Sequence, residues 1–186
     1  MSDYKHGIRV LENPTSVPAP VVNEAGVPIV IGTAPINLAA DPANATNKLF
    51  LCNTFDEAKS ALGYSEDYAS YTLCEAMDVF FKVYAVSPVV FINVVDPQTH
   101  QKAYTETVNV VDGIAKSTAK GVLLDGLTVV KGEDSLVKDT DYTVAFDSDG
   151  YLVVTMITEA TSIKLAGKQL DPSAVTAENI IGGINS

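Results

Sequence analysis

The strongest constraint on this fold is a short predicted strand that stands alone at the N-terminus. Residues Ile8–Leu11 alternate, with Ile8 and Val10 on one face and Arg9 on the other. A proline-rich segment follows at once, with Pro14, Pro18 and Pro20. Each proline lacks an amide donor and fixes its own φ, so this segment detaches the strand from the rest of the chain. An isolated strand needs a sheet edge, either in its own domain or in a neighbouring subunit.

The composition favours a globular protein of one large domain or two small ones. The chain has 186 residues, of which 47% are hydrophobic and 19% are charged. Its formal net charge is -11, and its 12 basic residues are spread thinly along the sequence. Binding to phosphates or to anionic lipids requires clustered Lys and Arg. We therefore expect neither nucleic acid nor an anionic membrane surface as a partner.

The two cysteines are predicted to be buried free thiols. Cys52 and Cys74 each lie in an apolar periodic segment, and no recognisable signal peptide or membrane span accompanies them. His6 and His100 lie outside any metal-ligand spacing with these cysteines. The sequence thus predicts synthesis in the cytoplasm, with no metal site and no cofactor.

The first half of the chain predicts an α/β layer. Apolar strands are expected at Val27–Ile31 and Lys48–Cys52. Thr54 and Glu57 have the spacing of a capping box, in which each side chain reaches the other's backbone amide, so a helix should begin there. That helix should end at Leu62, with Gly63 just past its C-cap.

A longer helix and a buried strand should complete this layer. Apolar residues at three- and four-residue spacing predict a helix from about Tyr68 to Val86, and Pro88 closes it. The run Val89–Val95 is almost continuously apolar, which is typical of a central strand covered on both faces. Residues 23–97 are therefore assigned to an α/β portion.

After Asp96-Pro97 the composition changes to that of a β-rich module. Strands are expected at Thr105–Val111 and Ser162–Ala166. One predicted hairpin joins 122–124 to 127–130 through Asp125-Gly126, and a second joins Tyr142–Phe146 to Tyr151–Ile157. The predicted fold class is α+β, with an inserted all-β, sandwich-like domain at 98–175 and a return segment at 176–186.

No catalytic constellation emerges from the motifs, and the chain is predicted not to be an enzyme. Asp147, Asp149 and Gly150 resemble the start of a calcium loop, but the strand that follows favours an acidic β-turn. Gly32 follows a strand without a phosphate-binding fingerprint and is taken as an ordinary turn residue. The adjacent carboxylates of Glu66-Asp67 and Glu133-Asp134 favour solvated surface.

Several segments, in order, resemble contractile tail sheath proteins of bacteriophages and R-type bacteriocins. They are Tyr4–Glu12, Pro28–Ala34, Leu49–Gly63, the long helix ending at Tyr84, Val90–Asp96 and Asn179–Ile184. The resemblance covers roughly residues 1–96 and the last few. Sheath proteins are considerably longer, so it implies an N-terminal portion with an arm and hinge at 1–22 and a missing C-terminal core domain.

The resemblance implies a structural subunit that polymerises around an inner tube and contracts to drive it through a cell envelope. Its implied partners are other copies of itself, the tube protein, and baseplate and tail terminator proteins. The implied location is a virion tail or phage-like particle assembled in the bacterial cytoplasm. The inter-subunit strand would be Gly7, Ile8, Arg9, Val10 and Leu11, and the hinge would contain Pro14, Pro18 and Pro20.

Two other functions remain open from the residues alone. The Thr- and Val-rich β region and the acidic surface suit a cell-surface or capsid adhesion module. The loops after Ile31 and Cys52 suit an α/β ligand-binding or enzymatic domain. Glycan binding would favour the first of these functions, and small-molecule binding would favour the second.

Overall fold

The computed structural model describes residues 26–182, which form a mixed α+β structure. Strands make up 37% of the described residues and helices 22%, which confirms the mixed class; the helical share includes three short 3₁₀ helices at Ile36–Leu38, Pro42–Asn44 and Pro172–Ala174. In chain order the elements are β1 (Ile29–Gly32), β2 (Leu49–Cys52), α1 (Phe55–Leu62), α2 (Thr72–Met77), a π-helical segment (Asp78–Val83), β3 (Val89–Asn93), β4 (Gln101–Asn109), β5 (Ile114–Lys120), β6 (Thr128–Lys131), β7 (Asp134–Ser135), β8 (Tyr142–Phe146), β9 (Tyr151–Met156), β10 (Ser162–Leu170) and α3 (Ala177–Gly182).

The strands form three sheets. The first has the order β1-β3-β2, with β1 parallel and β2 antiparallel to the central β3. The second has the order β4-β10-β6-β7, and the third has the order β5-β9-β8. All pairs in the second and third sheets are antiparallel. The first half of the described chain therefore builds one small mixed sheet, and the second half builds two antiparallel sheets.

Two hydrophobic cores correspond to these regions. The α/β core lies between the first sheet, α1 and α2, and it includes Phe91, Leu73 and Met77, all fully buried. The β core lies between the second and third sheets and includes Leu152 and Leu165, also fully buried. Leu123 and Leu170 come from the β-rich region but pack in the α/β core. The base of the β-rich region is thus part of the first core.

The local signals around α1 predict its boundaries well. The helix covers Phe55–Leu62, and Thr54 Oγ1 accepts a hydrogen bond from the Glu57 amide at 3.2 Å, as the capping box predicts. The Glu57 carboxylate instead accepts from the Asn53 amide at 2.7 Å, one residue before the predicted partner. Gly63 follows with a φ of 76°, a conformation that glycine adopts without strain.

The longer predicted helix is shorter and less regular than expected. Its first turn is replaced by a turn at Asp67, whose carbonyl accepts from the Tyr71 amide at 2.9 Å. The helix α2 then begins at Thr72 and widens into the π-helical segment from Asp78 onward. The Thr72 amide donates to Thr33 Oγ1 at 3.0 Å, so a contact with the end of β1 fixes where the helix starts.

The predicted hairpin at Asp125-Gly126 is wrong. Leu127 and the strand that follows it do not pair with 122–124; instead, β6 pairs with β10, and Val122 bridges to Gln169 at the far end of β10. Both segments thus align along the same long strand. The strand β5 was not predicted, because its sequence Ile-Ala-Lys-Ser-Thr-Ala-Lys is weakly apolar. By contrast, the predicted hairpin of β8 and β9 is present.

Candidate assembly surface

One face of the first sheet is covered by helices, and the opposite face is apolar and open. The strand β3 alternates, with Val89, Phe91 and Asn93 buried and the residues between them only partly buried. The prediction that this strand is covered on both faces is therefore wrong for the described residues. The run of apolar residues concealed the alternation, because both faces of the strand carry large apolar side chains.

The register of the sheet aligns its outward-facing side chains in two rows. Ile29, Val90 and Leu51 form one row, and Ile31, Ile92 and Leu49 form the other. These six residues are called the open face. Ile29 and Leu49 have 62% and 71% of their surface exposed, respectively. Fully burying a side chain of this kind stabilises a protein by about 1.5–3 kcal/mol. Covering the open face with other polypeptide would therefore be substantially favourable.

Both outer strands of this sheet also have an edge that no other described strand pairs with. Within residues 26–182, β1 and β2 each pair only with β3. The amides of Val90 in β3 and of Val94, just past its end, donate to the Pro28 and Gly32 carbonyls, each at 2.9 Å. By the two-residue period of a strand, the backbone groups of Ile29 and Ile31 point away from β3. An added strand could therefore pair with this edge.

The carboxyl ends of β1 and β3 are held rigidly by side-chain hydrogen bonds. Asn93 is fully buried, and its Oδ1 accepts from the Ala34 and Val95 amides, each at 3.0 Å. Its Nδ2 donates to the Ala45 carbonyl at 3.2 Å. The open face is therefore built on a fixed support, because one buried amide ties three chain segments together.

Gly32, predicted to be an ordinary turn residue, is the last residue of β1. A Cβ atom at this position would overlap Thr72 Oγ1, which also accepts from the Thr33 amide at 3.1 Å. Glycine is therefore needed here for the close approach of α2 to the sheet.

A polar cluster on the covered side was not predicted from the sequence. Asp78 Oδ2 accepts from Tyr64 Oη at 2.7 Å and also from Tyr68 Oη, and Asp78 Oδ1 pairs with Lys82 Nζ at 2.6 Å. Lys82 Nζ lies 3.8 Å from the centre of the Phe55 ring. Burial alone would raise the pKa of Asp78, but the hydrogen bonds from Lys82, Tyr68 and Tyr64 lower it. Its only sequence signal was the four-residue spacing of Asp78 and Lys82.

The acidic turn at Asp147 joins β8 to β9. Asp147 Oδ1 accepts from the Asp149 and Tyr151 amides at 3.0 and 2.9 Å, and Oδ2 pairs with Lys116 Nζ at 2.5 Å. Both carboxylate oxygens are therefore engaged by the protein itself. Among residues 26–182, no group of three or more His, Cys, Asp and Glu side chains is arranged to hold a metal ion.

His100, Cys52 and Cys74 all lie in structural positions. His100 is buried where the chain enters the β-rich region; its Nδ1 accepts from the Asp96 amide at 3.0 Å, and its carbonyl accepts from the Asp171 amide at 2.8 Å. Both cysteines are buried and free, as predicted. Burial raises the pKa of the Cys52 thiol to about 11 and that of Cys74 to about 12, so both are protonated near neutral pH.

The predicted inter-subunit strand and hinge lie outside the described residues. This applies to Gly7–Leu11, to Pro14, Pro18 and Pro20, and to the last part of the return segment. The first part of that segment forms α3, in which Ile181 is 87% exposed. No helix within residues 26–182 is both long and apolar enough to cross a membrane.

Comparison with known proteins supports the predicted resemblance. No family model matches the chain, and no solved structure matches it. The tail sheath protein of Burkholderia phage BcepMu is 29% identical to it over 195 aligned residues, which cover all of this chain and 38% of the phage protein. This match confirms the resemblance: over its whole length, the chain is similar to part of a phage tail sheath protein.

Proposed function

We propose that this chain is the N-terminal portion of a structural subunit of a contractile tail sheath, with no enzymatic activity. The subunit polymerises around an inner tube, and the sheath contracts to drive that tube through a cell envelope. The observation that carries the proposal is the open face, an apolar surface on a rigid sheet with two free edges. Exposed apolar surfaces of this kind mark contacts with other polypeptide.

The open face is covered by the remainder of a longer polypeptide. The chain spans 38% of the length of its phage relative, so a longer protein has ample residues to pack here. Residues 23–97 then form part of a core domain, and 98–175 form an inserted domain. The return segment leads back to the core, since α3 ends the described chain with exposed isoleucines at 180 and 181.

Subunits are linked by the N-terminal arm. Gly7–Leu11 of one subunit adds a strand to a sheet of its neighbour, and the segment around Pro14, Pro18 and Pro20 is the hinge. Main-chain hydrogen bonds then hold neighbours together while subunits rotate between two packing arrangements. Partners include the tube, baseplate and terminator proteins, and the assembly site is the bacterial cytoplasm.

Deletion of residues 1–12 from the full-length protein tests the arm. We expect the deletion variant to fold, by circular dichroism, but to form no ordered sheaths in electron micrographs. A second variant keeps the parent's length but carries residues 1–12 in scrambled order, and it shows how much of the linkage depends on side chains and how much on main-chain hydrogen bonds. Normal sheaths from the deletion variant would exclude this arm as the linker.

The β-rich region is placed on the outer surface of the sheath. Its β core is closed between its own two sheets, so it requires no covering partner. Crosslinking from Lys131 and Lys138 in assembled particles should give no link to the tube protein. Abundant links to the tube would contradict this placement.

A further inference from the structure

A groove runs along the junction between the α/β portion and the β-rich region. One part has a volume of about 530 Å³ and the other of about 450 Å³, and Asn37, Pro42 and Leu124 line both. The two parts therefore adjoin along one elongated depression, here called the seam groove. An elongated shape suits an extended polypeptide better than a compact small molecule.

The walls of the seam groove are mostly apolar and include aromatic and proline side chains. Its apolar and aromatic lining residues include Leu38, Pro42, Tyr64, Pro97, Leu124 and Phe146. Leu124 is 42% exposed, although it is a large aliphatic residue. Grooves lined by aromatic and other apolar side chains bind proline-rich segments, whose restricted backbone loses little entropy on docking.

Among the residues that line this groove, Asn37 provides a buried polar side chain without a hydrogen-bond partner. The residue is only 7% exposed, and both its Nδ2 and its Oδ1 lack a hydrogen-bond partner. Buried side-chain amides are normally satisfied, so this one requires an explanation. An amide offers one donor and one acceptor together, and a peptide group presents the same pair in complementary positions.

The occupant is identified from the chain outside the described residues. Residues 14–22 have the sequence Pro-Thr-Ser-Val-Pro-Ala-Pro-Val-Val, with no charged side chain. The absence of charge avoids repulsion by Asp41 and Asp125, which border the larger part of the groove. Its prolines favour an extended conformation in which backbone carbonyls remain free to accept hydrogen bonds.

A neighbouring copy is the better source of this segment. The loop that carries Asn37 follows the Gly32 end of β1, whereas the N-terminal residues join at the Ile29 end. A segment from the same chain would have to return along β1, about 13 Å for four residues. A second copy has no such constraint.

We propose that the seam groove binds residues 14–22 of a neighbouring copy, with Asn37 hydrogen-bonding to the peptide backbone. The inference rests on the proposed function, because a polymer brings many copies together. It deepens that function by giving the hinge a docking site. The chemical class of the ligand is an uncharged, proline-rich extended peptide.

The test is binding of a fluorescein-labelled peptide of residues 13–23, which has no charged side chain, to the full chain, measured by anisotropy. We expect saturable binding, and we expect Asn37→Leu and Leu124→Lys each to weaken it about tenfold. Val111→Lys is the matched control, since Val111 is an exposed aliphatic residue outside the groove, and it should bind like the parent. A second peptide has glycine in place of the three prolines. Its affinity for the parent chain should be no higher than the affinity of the original peptide for the two groove variants.

Three outcomes would overturn the proposal. One is no binding of the peptide, and another is binding to both groove variants that is as tight as binding to the parent chain; in either case, the peptide is not the hydrogen-bonding partner of Asn37. The third is binding only after prolines 14, 18 and 20 of the chain itself are replaced, which would put each chain's own segment in its own groove. Sheath formation by the full-length protein is scored separately by electron microscopy, so failure here is distinguishable from failure of the proposed function.

Discussion

The α/β portion and the β-rich region differ in how they cover the apolar faces of their sheets. The β-rich region folds two antiparallel sheets against each other, so its apolar faces cover one another. The α/β portion covers one face of a three-stranded sheet with helices and leaves six aliphatic side chains on the other. The difference shows which region needs additional polypeptide. A self-covered region can be an appendage, whereas an open sheet suits the part of a larger core that is proposed above.

A substitution at Leu170 should change the stability of the chain most, and it tests whether the two regions fold independently. Leu170 is 2% exposed and comes from the β-rich region, yet it packs in the α/β core. Leu170→Ala should lower the free energy of unfolding by about 2–5 kcal/mol. It should also shift the unfolding of both regions together in hydrogen-exchange measurements.

The matched variant is Leu165→Ala, which removes the same side chain from the β core. If the regions fold as one unit, both variants will show a single transition in denaturant. Separate transitions, with Leu170→Ala affecting the β-rich region alone, would break the proposed coupling between the two cores.

The next effect concerns the open face. Replacing both Leu49 and Leu51 by serine should leave the stability of this chain nearly unchanged, because 71% and 59% of the surface of these two residues is already exposed. In the full-length protein, the same replacement should cost about 3 kcal/mol or more, since the two leucines are then buried. Thermal melts of both chain lengths make the comparison.

The control is the replacement of both Val111 and Val137 by serine. These two residues of the β-rich region are exposed to a similar degree. It should have little effect in either chain length. Equal sensitivity of the two chain lengths at Leu49 and Leu51 would mean that the open face is not covered by the rest of the protein.

A smaller effect is expected at the junction. Asn37→Leu removes two unsatisfied polar atoms from a buried site, so the free energy of unfolding of the isolated chain should rise by about 1 kcal/mol. Asn93→Leu is the contrast, because the Asn93 amide is fully hydrogen-bonded and its loss should destabilise the chain. Destabilisation by Asn37→Leu would show that its amide has partners in the free chain.

The smallest effect compares how each region responds to acid. Both contain a carboxylate bonded to tyrosine hydroxyls, Asp78 in the α/β portion and Glu106 beside Tyr104 in the β-rich region. Burial would raise the pKa of Glu106, but hydrogen bonds from Tyr104 and Thr118 lower it below its usual 4.5. A carboxylate whose pKa is lower in the folded state than in the unfolded state makes its full contribution to stability at pH values above its unfolded-state pKa. This contribution is lost as the pH falls through the folded-state pKa.

Stability measured between pH 7 and pH 2 should therefore decline in the acid range, and Asp78→Asn or Glu106→Gln should each flatten part of that decline. The isosteric amides preserve shape while removing the titrating proton. A decline that is unchanged in both variants would assign acid sensitivity to other carboxylates.

Local structure was the part of the fold that could be predicted from residues alone. The start of α1 at Thr54 and its end at Gly63 depend on bonds within a few positions, and both are confirmed. The hairpin of β8 and β9 depends on the turn Asp147–Gly150, which is also local. The assembly residues Gly7–Leu11 stay a prediction, because they lie outside the described residues.

The helix caps, the tight turns, the buried cysteines and the change from an α/β half to a β-rich half follow from the residues alone, because each depends on composition or near neighbours. Which strands pair and which faces are covered depends on contacts between distant parts of the chain. The segment at 122–124 and β6 both lie along β10, which comes some 40 positions later in the sequence, so no local pattern indicates this pairing. The open face was equally hidden, since an apolar run has the same appearance whether one or both of its faces are buried.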